Sequence, residues 1–208
     1  DLSTPRGLRD RAILETLYAT GIRRQELAAL KIDDIDLENG RLMVRQGKGK
    51  RDPLLPLSER ACAWIEKYLE ESRFHISRGA DDGSLFISHS GKRMHPEQMT
   101  KIVRRSIEAA EIEKPGACHL FRHTLATLML EGGADLRYVQ AMLGHADIST
   151  TQIYTRVAIG KLQEALEKSH PGAKLGRRAK VAIESDNVED PRAAFLAELD
   201  SEDDETTN

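Results

Sequence analysis

The chain has 208 residues, 39% of them hydrophobic and 31% charged, which suits one domain with a sizeable core. No apolar run is long enough to span a membrane and no basic-then-apolar leader is present, so no membrane contact and a cytoplasmic location are expected. The net charge of −3 hides a division: residues 1–180 carry 30 Lys and Arg against 24 Asp and Glu, while 181–208 carry ten acidic residues against Arg192 alone, so the body has a charge that suits a nucleic-acid partner.

A first helix is expected through "STPRGLRDRAILETLYATG". Thr4 is its N-cap, Pro5 its first helical residue, Ile13, Leu14, Leu17 and Tyr18 its apolar stripe, and Gly21 its stop. A second helix runs through "RRQELAAL". Three short strands follow, "DIDL", "RLMVRQ" and "RDPLLPL", separated by the tight turn "ENG" and the glycine-rich turn "GKGK". Helical patterning returns at "SERACAWIEKYLEESR", capped by Ser58, and at "HPEQMTKIVRRSIEAAEI", which starts at Pro96. "HLFRHTLATLMLEGG" ends in glycines, "DLRYVQAMLGH" lies between Asp135 and Gly144, and "IGKLQEALEKSHPG" is closed by Pro171 and Gly172. The expected fold class is mainly α with a small three-stranded antiparallel β-sheet. Residues 173–180 are basic and 184–208 acidic and polar, a composition of disorder, with "PRAAFLAEL" a brief amphipathic island. Cys62 and Cys118 lie far apart in helical patterns and read as buried free thiols.

Four stretches could carry chemistry. In "ATGIRRQELAAL", Arg23, Glu26, Leu27 and Leu30 share a helix face; Arg23 either pairs internally with Glu26 or faces a cleft. In "QGKGKRDPLLPL", Lys48 sits between glycines, as a solvated basic turn or as a turn that approaches a ligand. In "HLFRH", His119 and Arg122 point the same way on a helix, as a ligand-binding pair or as a cap with a surface arginine. His119 and His123 imitate a metal pair, but no HExxH glutamate or further ligand set accompanies them, so no metal is expected. In "LGHADISTTQIYTRV", Tyr154 rides a short helix started by the Ser/Thr run, as a rim aromatic or a reactive group, with His145 before it.

Together and in this order, TGIRRQEL, GKGK, HLFRH and LGHADISTTQIY resemble the tyrosine recombinase (integrase) family, above all its Xer-like and phage or mobile-element members, over about residues 5–170. The resemblance implies a tyrosine recombinase catalytic domain at 1–172, with 173–208 as a tail outside it. Members usually carry a separate N-terminal core-binding domain; its absence from this chain reads as a catalytic-domain fragment, with weak, salt-sensitive DNA binding expected. The implied catalytic set is Arg23, Lys48 (favoured over Lys50), His119, Arg122, His145 and the nucleophile Tyr154.

The implied reaction is attack of the Tyr154 hydroxyl on a DNA phosphodiester, giving a 3′-phosphotyrosyl bond and a free 5′-hydroxyl. Arg23 and Arg122 would hold the phosphate oxygens, Lys48 would protonate the leaving oxygen, His119 would accept the tyrosine proton, and His145 would bond the phosphate. No cofactor or metal is called for. The expected partners are double-stranded DNA and further recombinase protomers in a homo- or hetero-tetramer, with the "IGKLQEALEKSHPG" helix either docking on a neighbour or packing on its own domain. Basic residues such as Lys31, Arg45, Lys50 and Arg104 are candidates for phosphate contacts. The rival functions are type IB topoisomerase-like relaxation and a catalytically silent DNA-binding module.

Overall fold

The computed structural model describes residues 1–45, 52–77, 81–113, 116–144 and 156–170. Helix α1 (Pro5–Thr20) begins where the Thr4 hydroxyl accepts the Gly7 N–H at 3.1 Å. It ends at Gly21, whose left-handed backbone (φ 58°) returns its N–H to the Leu17 carbonyl at 2.9 Å. Ile13 and Leu17 of the expected stripe are fully buried, and α1 packs against both α3 (Glu59–Tyr68) and α6 (Cys118–Glu131). Helix α2 (Arg24–Ala29) follows at once and leads through a 3₁₀ turn, Ile32–Asp34, into the sheet.

The strands β1 (Ile35–Asp36), β2 (Arg41–Met43) and β3 (Leu54–Pro56) form an antiparallel sheet in the order β1-β2-β3. The register pairs Ile35 with Leu42, and Leu42 in turn with Leu55. Each strand is shorter than its sequence pattern suggested, and the alternate residues Leu42, Val44, Leu55 and Leu57 are buried in the main core. One bond beyond the strands, the Val44 N–H donates to the Pro53 carbonyl at 2.9 Å.

The single helix expected over 58–73 is divided. Ser58 caps α3 by accepting the Ala61 N–H at 3.2 Å, but the chain widens into a π turn at Leu69–Arg73 before the short α4 (Phe74–Ser77). A buried stretch absent from the sequence-based elements comes next: Leu85, Phe86 and Ile87 are all buried, and Ile87 bridges to Arg93. The Tyr68 hydroxyl donates to the Leu85 carbonyl at 3.0 Å, and the Tyr68 and Phe86 rings stack at 5.7 Å. These contacts seat the stretch in the main core with α1, the sheet, α3 and α5 (Pro96–Ala109).

A second apolar cluster joins α6, α7 (Leu136–Leu143) and α8 (Arg156–Ser169) through Leu125, Met129, Val139, Leu143, Leu162 and Leu166. Helix α8 packs on its own domain, against α6, α7 and β3. Just past it, the His170 ring meets Tyr18 at 4.4 Å. The fold is thus mainly α with one three-stranded antiparallel sheet, as expected. Cys62 and Cys118 are free thiols; burial pushes Cys62 up to about 11 and raises Cys118 as well. Among the described residues no helix is long and apolar enough to cross a membrane. The tail, 173–208, lies outside the described residues.

Candidate active site

Arg122 lies on α6 and is only 8% exposed, which removes the reading of it as a surface arginine. Its Nη1 donates to the Gly21 carbonyl at 3.2 Å, and its Nη2 donates to the Leu143 carbonyl at 2.6 Å. Those carbonyls stand at the ends of α1 and α7, so one guanidinium ties three helices together. The approach is close: a Cβ on Gly21 would come within 2.9 Å of Leu125 Cδ2 and of Leu143 Cδ2, and 3.4 Å of Arg122 Cα.

Arg23 arrives from the other side of Gly21. It is not on the face of α2 but is its N-cap, in an extended conformation (φ −67°, ψ 145°). Of the two readings of Arg23, the internal pair with Glu26 is present. Glu26 Oε2 accepts the Arg23 N–H at 3.0 Å, and Glu26 Oε1 lies 3.6 Å from Arg23 Nη1. The Arg23 side chain is 40% exposed, so it does not occupy a buried face. A Cβ on Gly144 would lie 3.8 Å from Arg23 Nη1. Arg23 and Arg122 therefore both reach the C-terminal end of α7, where the aligned backbone carbonyls favour cations. Gly144 caps that helix with φ 68°.

His119 stands one turn before Arg122 on α6 and is half-buried. A Cβ on Gly116 would fall 2.8 Å from His119 Nε2, so the backbone before α6 runs directly over the imidazole. His123, the other half of the notional metal pair, meets Thr127 Oγ1 of its own helix through Nδ1 at 3.4 Å. Among the described residues, no group of three or more His, Cys, Asp or Glu side chains is arranged to hold a metal ion.

The described structure thus brings together Arg23, Arg122 and the α7 terminus, with His119 one helical turn away. Lys48, His145 and Tyr154 lie outside the described residues. In the chain, Lys48 falls between Arg45 and Asp52, His145 follows Gly144, and Tyr154 precedes α8 by two residues. Two planar cations at one helix end can grip a tetrahedral anion through several donors at once. The sequence pattern did not reveal the carbonyls of Gly21 and Leu143, which orient Arg122 from 101 and 21 residues away. Only the αL-compatible glycine after α1 hinted at a close approach there.

Residues 2–160 match the model of the phage integrase family. A Ralstonia nicotianae protein, tyrosine recombinase XerC 2, is 46% identical over 200 residues, which is 96% of this chain and 56% of that protein. Tyrosine recombinase XerD of Listeria monocytogenes is 45% identical over 174 residues, covering 83% of this chain and 58% of the relative. Among solved structures, that of XerA recombinase superposes with a TM-score of 0.63 at 35% identity, over 79% of this chain and 59% of that one. XerH recombinase in a post-cleavage complex with a palindromic difH substrate gives 0.62 at 29% identity, over 80% of this chain and 47% of that one. The chain spans a little over half the length of the curated relatives it matches.

Proposed function

The chain belongs to the phage integrase family, and from that premise we propose that it is the strand-cleaving part of a site-specific DNA recombinase. The observation that carries the reading is the convergence of Arg23 and Arg122 on the end of α7, one residue before His145. Transition-state charge grows on the non-bridging phosphate oxygens, and two pre-oriented guanidinium groups stabilise it without reorganising. Arg122 is the better prepared, because two backbone carbonyls fix its plane.

In the proposed reaction the Tyr154 oxygen attacks phosphorus and the bond from phosphorus to the 5′-oxygen breaks. The tyrosine proton passes to His119, and Lys48 gives a proton to the departing 5′-oxygen. A tyrosine hydroxyl has an ordinary pKa of about 10, so a nearby base lowers the barrier at neutral pH. His145 bonds the phosphate. The phosphotyrosyl bond conserves the energy of the phosphodiester, so a 5′-hydroxyl from a second duplex can reverse the step and complete strand exchange. With three cations on the phosphate, neither metal nor cofactor is required.

The proposal takes residues 1–172 as the catalytic domain, DNA as the substrate and a tetramer of protomers on two duplexes as the working assembly, in the cytoplasm. The surplus of basic residues in 1–180 supports the DNA partner. The recombinase names of the relatives favour strand exchange over type IB relaxation or a silent binding module. A pool of nicked genomic duplexes tests the chemistry, because the strand fragment beyond the cut diffuses away and prevents rejoining. Wild type should become covalently linked to DNA at Tyr154, in the presence of a chelator as in its absence, and Tyr154→Phe should not. A wild-type protein that traps no DNA from any such duplex would sink the reading.

A further inference from the structure

Thr20, the last residue of α1, is fully buried, and its hydroxyl makes two bonds of opposite sense. Oγ1 donates to the Thr16 carbonyl at 2.7 Å and accepts the Ile22 N–H at 3.3 Å. The second bond answers a local need. Gly21 ends α1 with a single bond, from its N–H to the Leu17 carbonyl, which leaves the next N–H in the chain without a helix carbonyl. That N–H belongs to Ile22, which is buried as well, so leaving it unpaired would be costly. The Ile22 N–H and the Gly21 carbonyl are the two edges of one planar peptide unit and point to opposite sides. The Thr20 hydroxyl therefore holds one edge, while the other accepts Arg122 Nη1 at 3.2 Å. Arg23 follows Ile22 directly.

We propose that Thr20 is a positioning residue for the phosphate grip: its hydroxyl fixes the Gly21–Ile22 peptide plane, and through that plane the guanidinium of Arg122 and the point from which Arg23 departs. This rests on the reading of Arg23 and Arg122 as the groups that hold the phosphate. Because the peptide is rigid, releasing its N–H edge lets the carbonyl edge swing with it, with no flexible link between the hydroxyl and the guanidinium to absorb the motion. Misplacing such a group by about 1 Å can cost about 10²-fold in rate. The Leu143 carbonyl still holds Nη2 when the plane turns, so a smaller loss, about tenfold, is expected.

The test uses duplexes in which a methyl group replaces one non-bridging oxygen of the scissile phosphate, at a cut site located by sequencing trapped DNA. The bonds made and broken are unchanged, but the group is neutral, so the placement of the guanidinium groups counts for less. Thr20→Val keeps the branched shape and drops the hydroxyl. It should slow cleavage of the ordinary duplex about tenfold at unchanged DNA affinity, and cleavage of the neutral duplex by no more than about twofold. Thr20→Ser retains the hydroxyl and should cleave both within about twofold of wild type. Thr16→Val controls for lost packing, since Thr16 is equally buried and its hydroxyl bonds the Ala12 carbonyl one turn earlier; it should cleave at the wild-type rate per folded molecule. The proposal is overturned if Thr20→Val slows both duplexes equally or neither, if it loses only DNA affinity, if Thr20→Ser behaves like Thr20→Val, or if Thr16→Val gives the same pattern. Arg122→Lys serves as the reference. If the neutral duplex narrows the deficit of Arg122→Lys but not that of Thr20→Val, this proposal alone fails; if it narrows neither, the reading of the arginines as the phosphate grip fails and takes this proposal with it.

Discussion

Arg73 and Arg122 are equally buried, at 7% and 8% exposed, and each donates to two backbone carbonyls, yet their surroundings differ. Arg73, at the end of the π turn, forks onto Asp81 with contacts of 2.5 and 2.6 Å. That bond, chiefly, holds the Asp81 carboxyl down at about 2. The charge of Arg73 is cancelled where it arises, and the pair closes the 81–85 segment onto the domain. Arg122 is steered by the backbone carbonyls of Gly21 and Leu143, at the ends of two other helices. Burial of an arginine does not by itself mark a site; which segments its donors tie together tells the two apart.

Substitution should separate the two regions. Arg122→Lys keeps the charge but cannot span two carbonyls and a phosphate, so trapping on nicked duplexes should fall by about 10²–10³ with a small change in melting temperature. Arg73→Met should do the reverse. It frees the 43% exposed Asp81 carboxylate and removes the donors to the Ser84 and Leu85 carbonyls, and should cost about 1–2 kcal/mol of stability in urea unfolding. Its cleavage rate per folded molecule should stay at the wild-type value. An Arg122→Lys protein that cleaves normally, or an Arg73→Met protein that is stable but inactive, would break the distinction.

The two arginines also show what the sequence could disclose. "HLFRH" at helical spacing put His119 and Arg122 on one face, and the caps at Thr4, Ser58, Asp135 and Gly21 were legible because each is a local hydrogen bond or a local backbone need. Arg73 carried no such mark. Its partners depend on the π turn and on the buried run at 85–87, and neither has a local signature. Arg9 is similar: it is buried and donates to the Ile87 carbonyl, 78 residues away. Arg23 was correctly paired with Glu26 but misplaced by one position, since propensity does not distinguish the first helical residue from the cap. Spacing shows which residues face together; the folded chain shows which groups hold them.

His170 represents a third answer to burying a cationic group, which is to give up the charge. Packed on Tyr18 and 4% exposed, it is held down to about 4 by burial, with a hydrogen bond to the Tyr18 backbone pulling the other way. The imidazole of the unfolded chain gains a proton near pH 6.5, whereas the folded one refuses it until about pH 4. Stability should therefore fall as pH drops through that window, by about 2 kcal/mol at pH 5 relative to pH 8. Urea unfolding of wild type and His170→Phe across this range isolates the contribution, since the other carboxylates and histidines titrate alike in both. A difference that does not vary with pH would mean that His170 takes up its proton as readily in the folded protein as in the unfolded chain.

The smallest expected effect probes the Arg122 junction without touching an arginine. Gly21→Ala puts a side chain at φ 58° and presses a methyl to 2.9 Å from Leu125 Cδ2 and Leu143 Cδ2. The end of α1 must shift, and the Gly21 carbonyl that orients Arg122 shifts with it. Gly40→Ala is a matched control. Its φ is 59°, and the new Cβ would meet the Leu57 carbonyl at 3.2 Å in the turn between β1 and β2. Each substitution should cost about 1–2 kcal/mol from left-handed strain and crowding. Only Gly21→Ala should also slow covalent trapping, by up to about tenfold, because only there does the strained backbone hold a group proposed to grip the phosphate. Equal trapping by the two variants would mean that the Arg122 plane is set by α6 and Leu143 alone, and that the Gly21 carbonyl is a bystander.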